Sequence, residues 1–437
     1  MKQLRSFLMG SAVMMTAAFS ATAASAQTAP TFTRDVAPIF QEKCEACHRP
    51  DSIAPMSLVT YAETRPWAKA IRARVADHQM PPWHIDKTVG VQSFKNDRSL
   101  TDQQIDTILK WVDAGAPQGD PKDMPPKKTW PDDQGWNFAA QFGQKEPDLI
   151  IHSYPFTMPA QSQDAWDKRV TPSGITEPRW VRAIEIRPTT VKGRKITHHA
   201  IAYLEQDDPG APRTFGLPTP FMEWAVGKQG EMLRPDTGKL LLPGSKFRWD
   251  IHYSQAGEEI TSEVEMGIYF YPKGQEPKLR TTLSLVPAAL GTMDIRPNSL
   301  SLVEGFMVLR DNARIESFQP HMHLRGKAMM VEALFPNGQK QVISLVSDFN
   351  FNWMTTYVYD DNVAPLLPKG TMLKVTAWHD NTTAKKTNPD PNQWVGWGDR
   401  TVDEMAHAWI NIVYMDDAAF KAEQDKRKAA ATTADKQ

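Results

Sequence analysis

All the cysteine in this 437-residue chain lies in one pentapeptide, Cys44-Glu45-Ala46-Cys47-His48. No disulfide can therefore tie distant segments together, and any core must come from packing, with 14 tryptophans among its means. Cys-x-x-Cys-His is the attachment pattern of c-type haem: the two thiols form thioethers to the porphyrin vinyl groups, and the adjacent imidazole becomes an axial iron ligand. The competing uses of such a pair fit less well. A zinc site needs a second Cys/His pair nearby, and a thioredoxin-like redox pair needs a βαβ setting; neither surrounds this motif. Haem takes both thiols, so no cysteine remains for a blue-copper centre.

The flanking sequence has helical spacing. Residues 35–46 form a candidate helix leading into the motif, and Pro66, Trp67, Ile71 and Val75 mark a second. Thr101-Asp102-Gln103-Gln104 has the form of a capping box, Ile105, Ile108, Leu109 and Val112 follow at helical spacing, and Gly115 is the expected stop. Residues 27–117 are thus expected to form a small all-α cytochrome c domain. Its sixth iron ligand is sought in His78-Gln79-Met80-Pro81-Pro82-Trp83-His84. Met80 is preferred, because Met-Pro-Pro resembles the ligand loop of class I cytochromes c and a thioether raises the haem potential. His78 and His84 are the rivals.

Residues 1–26 have a basic start (Lys2, Arg5), an apolar run from Phe7 to Phe19, and Ala24-Ser25-Ala26 before Gln27. This is the pattern of a secretory signal with an A-x-A cleavage site. Its removal deletes two positive charges and no acid, taking the formal charge from −1 to −3. No other stretch approaches the roughly 20 apolar residues of a membrane helix. The expected product is a chain without a membrane span, in the bacterial periplasm or secreted, the side on which bacteria attach c-type haem. Its near-neutral charge gives no sign of nucleic acid as partner.

From Gly115 the chain turns rich in proline and glycine, and residues 118–146 are read as a linker crossing the surface of the next domain, with Trp130, Trp136 and Phe138 as anchors. Helical periodicity then gives way to ten short runs rich in Val, Ile, Tyr, Phe and Trp: 149–151, 180–186, 198–204, 247–253, 264–271, 303–309, 313–318, 328–335, 371–378 and 408–414. Short strands with turn punctuation predict two all-β jelly-roll sandwiches, placed at 147–282 and 283–417. The tail 418–437 is read as a frayed helix or disordered.

The histidines fall into this pattern. His198 and His199 are adjacent in one strand-like run, and His252 lies in another. His321 and His323 stand at i and i+2 in a third, so a strand would turn both to one face, able to chelate one metal ion. A pair with a distant third histidine suits copper or zinc. Two histidines with a thioether select a metal that cycles through Cu(I). His379 and His407 are read as lining a substrate cleft, shuttling protons, or simply satisfied by local hydrogen bonds; His152 is read as structural. Most of the 20 methionines are read as core filler.

Five stretches together resemble the copper type II monooxygenases, the family of peptidylglycine alpha-hydroxylating and dopamine beta-monooxygenases. They are 180–186, Thr197-His198-His199-Ala200, Ile251-His252-Tyr253, His321-Met322-His323-Leu324-Arg325-Gly326 and Asp403-Glu404-Met405, in the family's order. The resemblance implies two jelly rolls, each with one copper, facing each other across a wet cleft. It assigns His198, His199 and His252 to an electron-storing copper, and His321, His323 and Met405 to the copper that meets O2 and substrate. It implies insertion of one oxygen atom into a substrate C–H bond, the other leaving as water. Family members draw electrons from ascorbate; here a haem stands in front, itself needing an upstream donor. The peptide-amidating member reads its substrate's carboxylate with an arginine where this chain has Gln319, and uses Asn and Tyr just after the copper methionine where this chain has Ala406, His407, Ala408 and Trp409. A neutral or apolar substrate is therefore expected. The rival expectation is a haem-copper electron carrier or copper-binding protein that inserts no oxygen.

Overall fold

The computed structural model describes residues 29–50, 52–130, 135–210, 219–225, 228, 230–289 and 291–434. The expected signal, residues 1–26, lies outside them. The described chain is mainly β, in several sheets with sandwich packing. None of its helices is long and apolar enough to cross a membrane.

Helices occupy the first part. A π-helical turn, Phe32–Val36, runs into Ala37–Lys43, and Tyr61–Thr64, Ala68–Ala76 and Asp102–Asp113 follow. The Thr101 hydroxyl accepts the Gln104 N–H at 3.2 Å while the Gln104 side chain accepts the Thr101 N–H at 3.0 Å, so the capping box closes reciprocally. Gly115 ends this helix with φ +90°. Phe32, Phe40, Ile71, Val75, Ile108 and Trp111 pack together, with Cys44 and Met56 against them.

One part of the expected cytochrome domain lies elsewhere. Between the second and third of the longer helices, residues 83–96 leave this cluster and dock on the C-terminal half of the molecule. Ile85 bridges to Val346 and Phe94 to Tyr359. Trp83 meets Tyr357 edge to face at 4.8 Å. Gly90 is required here, since a Cβ at this residue would sit 2.2 Å from the Ile343 carbonyl oxygen. Trp83, Ile85 and Phe94 have no helical spacing, and their apolar partners come from the distant strands. The linker is similarly divided. Trp130 stays with the helices, donating its indole N–H to Glu45 at 3.2 Å, while Arg187 covers Trp136 at 4.0 Å and Glu185 accepts the Phe138 N–H at 2.8 Å.

Beyond the linker, each half pairs two sheets around its own core. In the first half, Leu149–His152, Val264–Phe270, Arg179–Pro188 and Thr237–Leu241 face a sheet of Ala165–Asp167, Lys246–Tyr253, Thr197–Glu205 and Thr219–Ala225. In the second, Leu279–Pro287, Ala406–Met415 and Asn312–Met322 face a sheet of Leu300–Val308, Met372–Asp380, Gly326–Leu334 and Lys340–Val346. A short parallel pairing, Leu279 with Thr237 and Arg280 with Gly238, joins one sheet of each half into a ten-stranded whole. The expected boundary at 282/283 cuts through the strand Leu279–Pro287, which pairs along most of its length with Ala406–Met415. That strand therefore belongs to the second half.

The tail is also more ordered than expected. Asp417–Ala434 is a helix; Phe420 packs on Val413 and Met415, and Glu423 accepts from Arg234 of the first half at 3.2 Å. Fully buried Arg314 completes this knot, reaching Asp236 at 3.4 Å and pairing with Glu316.

Candidate metal centre

His198, His199 and His252 converge, with one ring nitrogen from each within 4.8 Å of the others. Cross-strand registry brings two of them together: His252 stands directly opposite His199, with ring centroids 5.1 Å apart. Two adjacent residues of a strand should point to opposite faces, yet His198 joins the same group. The cause is a bulge. His252 pairs with His199 but Tyr253 pairs with Thr197, so His198 is the extra residue and its side chain is re-aimed. The Nδ1 atoms of His198 and His199 are 3.2 Å apart. On the far side of His252, Trp166 stacks nearly parallel at 4.7 Å, and Asp164 Oδ2 lies 3.1 Å from His252 Nε2.

His321 and His323 lie at the end of the strand Asn312–Met322, with ring centroids 5.5 Å apart. His407, opposite His321 in register, stacks on it at 4.4 Å. The chain beyond His321 is held by a buried polar network. Glu404, fully buried, accepts the His323 N–H at 2.9 Å and the Arg325 N–H at 2.5 Å. The Arg325 guanidinium donates in turn to Asn381 Oδ1 at 2.8 Å and the Val402 carbonyl at 2.9 Å. His323 Nδ1 lies 3.1 Å from the Asp403 carbonyl, so Nε2 is the nitrogen that could bind a metal. This network fixes residues 402–405 against the histidine pair. Met405 takes part through its carbonyl, 3.3 Å from His379 Nε2. The sulfur that touches His321 is another one: Met354 Sδ, 3.0 Å from His321 Nδ1.

The resemblance implies a cleft between two centres, but here the two groups abut. The rings of His199 and His321 are 6.0 Å apart, edge to face. Phe351 lies between the others, parallel to His198 at 4.8 Å and edge-on to His323 at 6.0 Å. The reason lies in the strand Thr197–Glu205, where His199, Ile201 and Tyr203 alternate on one face. Ile201 and Tyr203 pack on Leu283, Leu285 and Trp409 of the second half, so the interface between halves runs straight into the histidines.

Burial keeps the imidazoles neutral, as metal ligation requires. It lowers His198 and His323 to about 4 and His407 to about 3, and holds His199 and His321 well below the ordinary value. Neighbouring imidazoles add to the effect. Glu404 moves the other way, up to about 7, because burial outweighs its N–H donors.

Of the remaining expected site residues, His48 Nδ1 lies 3.2 Å from the Met56 carbonyl, a bond that leaves Nε2 for a metal. Cys44 packs against the helical core, and burial pushes its thiol up to about 12. Among the sixth-ligand candidates, His84 goes with the docked segment, its N–H donating to the Tyr357 hydroxyl at 3.2 Å. Met80 and His78 stay at the end of Ala68–Ala76, where the Met80 N–H donates to the Arg74 carbonyl at 3.2 Å. Gln319 is fully buried, its carbonyl accepting from the Thr356 hydroxyl. His152 lies on a strand rim beside Glu263. Asp164, Trp166, Phe351 and Met354 had no spacing or motif to announce them, while Arg325 and Glu404 lay inside quoted motifs with no role read for either.

No protein family's sequence profile matches the chain, and no curated protein does. Among solved structures, the chain is similar to the major capsid protein P2 from bacteriophage PM2, with 10% identity and a TM-score of 0.26 over 60% of this chain and 97% of that one. It is likewise similar to the peptide N-glycanase PNGase F, at 9% identity and a TM-score of 0.26 over 61% of this chain and 95% of that one. Likenesses this loose carry no argument about the histidine groups.

Proposed function

We propose that this chain is an exported copper-dependent monooxygenase that hydroxylates a substrate C–H bond with O2, with electrons relayed through a fused c-type haem. The observation that carries the reading is the meeting of two histidine groups of different character, one with three imidazoles and one with two imidazoles beside a thioether. The donor sets fit copper: His198, His199 and His252 would hold one ion, and His321, His323 and a methionine, by resemblance Met405, the other. Bound copper supplies one-electron steps toward O2 that no side chain here can supply alone.

The chain's own residues shape the rest. Asp403 sets the His323 ring so that Nε2 faces outward as ligand, and Glu404 and Arg325 hold it there. Phe351 excludes water between the groups. Gln319, buried and uncharged, brings no positive charge to pair with a substrate carboxylate, which favours a neutral or apolar substrate. In the helical part, Cys44, Cys47 and His48 would hold the haem, with Met80 as sixth ligand; His84 is committed to the Tyr357 hydroxyl through its backbone only. The two β halves are read as jelly rolls and the helical part as a cytochrome c domain.

The test is incorporation of labelled O2 into a product, screened over neutral compounds with the copper- and haem-loaded protein and a reductant. Label in a hydroxyl group, with uptake that depends on substrate and is lost in Met405→Ala, supports the reading. Two bound coppers with no label in any product would instead favour an electron carrier. The relay is tested by mixing ferrous-haem protein carrying cupric ions anaerobically: haem oxidation should match copper reduction, first at the His198–His199–His252 group. Independent titration of the two would contradict the relay.

A further inference from the structure

The contact between Met354 and His321 is not explained by packing. A buried thioether needs no polar partner and usually fills apolar gaps, yet Met354 Sδ lies 3.0 Å from a ring nitrogen of a buried histidine. Both atoms are soft or borderline metal donors, and both are shut off from water. Donors 3.0 Å apart are close enough to bind one ion together.

The loop that carries Met354 is built to hold that sulfur in place. It runs from the end of Lys340–Val346 to the start of Tyr357–Val358. At its near end the Phe349 N–H donates to the Lys327 carbonyl at 2.8 Å, and the Phe349 ring packs on Gly326, where a Cβ would come within 2.7 Å of it. At its far end Tyr357 is buried against Trp83 and Phe318. In between, Phe351 lies against His198 and His323. A loop pinned at three points brings one methionine to one histidine.

We propose that Met354 donates its thioether to the ion held by His321 and His323, a ligand role that neither its sequence context nor the His321-to-Met405 resemblance assigns. The inference rests on the copper reading above. A second sulfur beside Met405, or one in its place, makes the site softer and favours the cuprous state.

The test is X-ray absorption of the cuprous protein at the copper edge, comparing wild type with Met354→Leu and Met405→Leu. The fitted number of sulfur neighbours should fall by one in Met354→Leu. In selenomethionine-substituted Met405→Leu, a copper–selenium shell should persist, and this second measurement stands even where Met354→Leu fails to fold. An unchanged sulfur number in Met354→Leu, or no copper–selenium shell in the labelled Met405→Leu protein, would overturn the proposal. Met354 would then merely fix the His321 tautomer, and the copper reading would survive. A wild-type protein that binds no copper would overturn both.

Discussion

The two histidine groups are built by different means. The His198–His199–His252 group is made by the sheet itself: cross-strand registry sets His252 against His199, one bulge turns His198 to the same face, and Trp166 backs the ring of His252. The His321–His323 group lies where a strand ends, and what holds it is a buried polar network, Glu404 with Arg325 and Asn381, plus the loop bearing Phe351 and Met354. A sheet resists movement at every rung of its ladder. A strand end held by side chains moves when one link is lost, so the second group is the one whose geometry depends on a few residues.

Removing a link should therefore separate the groups, and the largest effect falls on Arg325. Arg325→Ala removes the buried guanidinium that donates to Asn381 and the Val402 carbonyl, and with it the positive charge that favours the Glu404 carboxylate, and should cost about 3–5 kcal/mol in urea denaturation. It should also empty the His321 group while the His198 group keeps its metal; loss at both would mean the halves do not act separately. Trp83→Ala should come next, at about 3–5 kcal/mol shared between the helical part and the second half. It should shift the thermal transition without changing metal affinity at the His198 group.

Trp166→Leu reverses the direction. It should weaken metal at the His198 group by roughly 10–100-fold, as loss of an outer support does, and leave the His321 group unaffected in competition titrations. Acid acts on several groups at once, at most about 1.4 kcal/mol per pH unit for each imidazole. The folded histidines sit below their ordinary value of about 6.5, so the unfolded chain binds more protons in that window. Stability of the metal-free protein should be full above about pH 6.5 and fall steadily toward about pH 4, where His198 and His323 titrate. A flat profile over that range would show these rings to be solvated.

Much of the architecture was legible in the sequence. All ten hydrophobic β runs fall within or overlap strands, because alternation and β-branched content report half-buried strands directly. Two of the strands that were missed carry contrary signals. Thr219–Ala225 contains Pro220 and Glu223, and Thr237–Leu241 contains Gly238 and Lys239, whose ammonium is buried against Glu231 at 2.8 Å. Polar residues satisfied by distant partners look like loop in a linear reading. The docking of Trp83 on Tyr357 had the same difficulty, with partners far apart in the chain and no local pattern.

The site was legible as residue types, less so as geometry. Its five histidines were found by spacing and order, but convergence of His198 with His199 depends on a bulge that only the partner strand reveals. Contact between the groups depends on how Ile201 and Tyr203 pack on Trp409. Met354 was one of 20 methionines with nothing local to mark it. Glu404 was noticed only as the residue before Met405, and its charge gave no hint that burial would place it under the His321–Arg325 turn.

If copper binds as proposed, two sites meet here yet remain distinct. Copper titration of the metal-free protein, with wild type, His252→Ala, His323→Ala and the double variant compared by bound copper per chain, tests it most directly. Two ions are expected in wild type, one in each single variant and none in the double. A single ion in wild type, or one substitution that removes both ions, would contradict this.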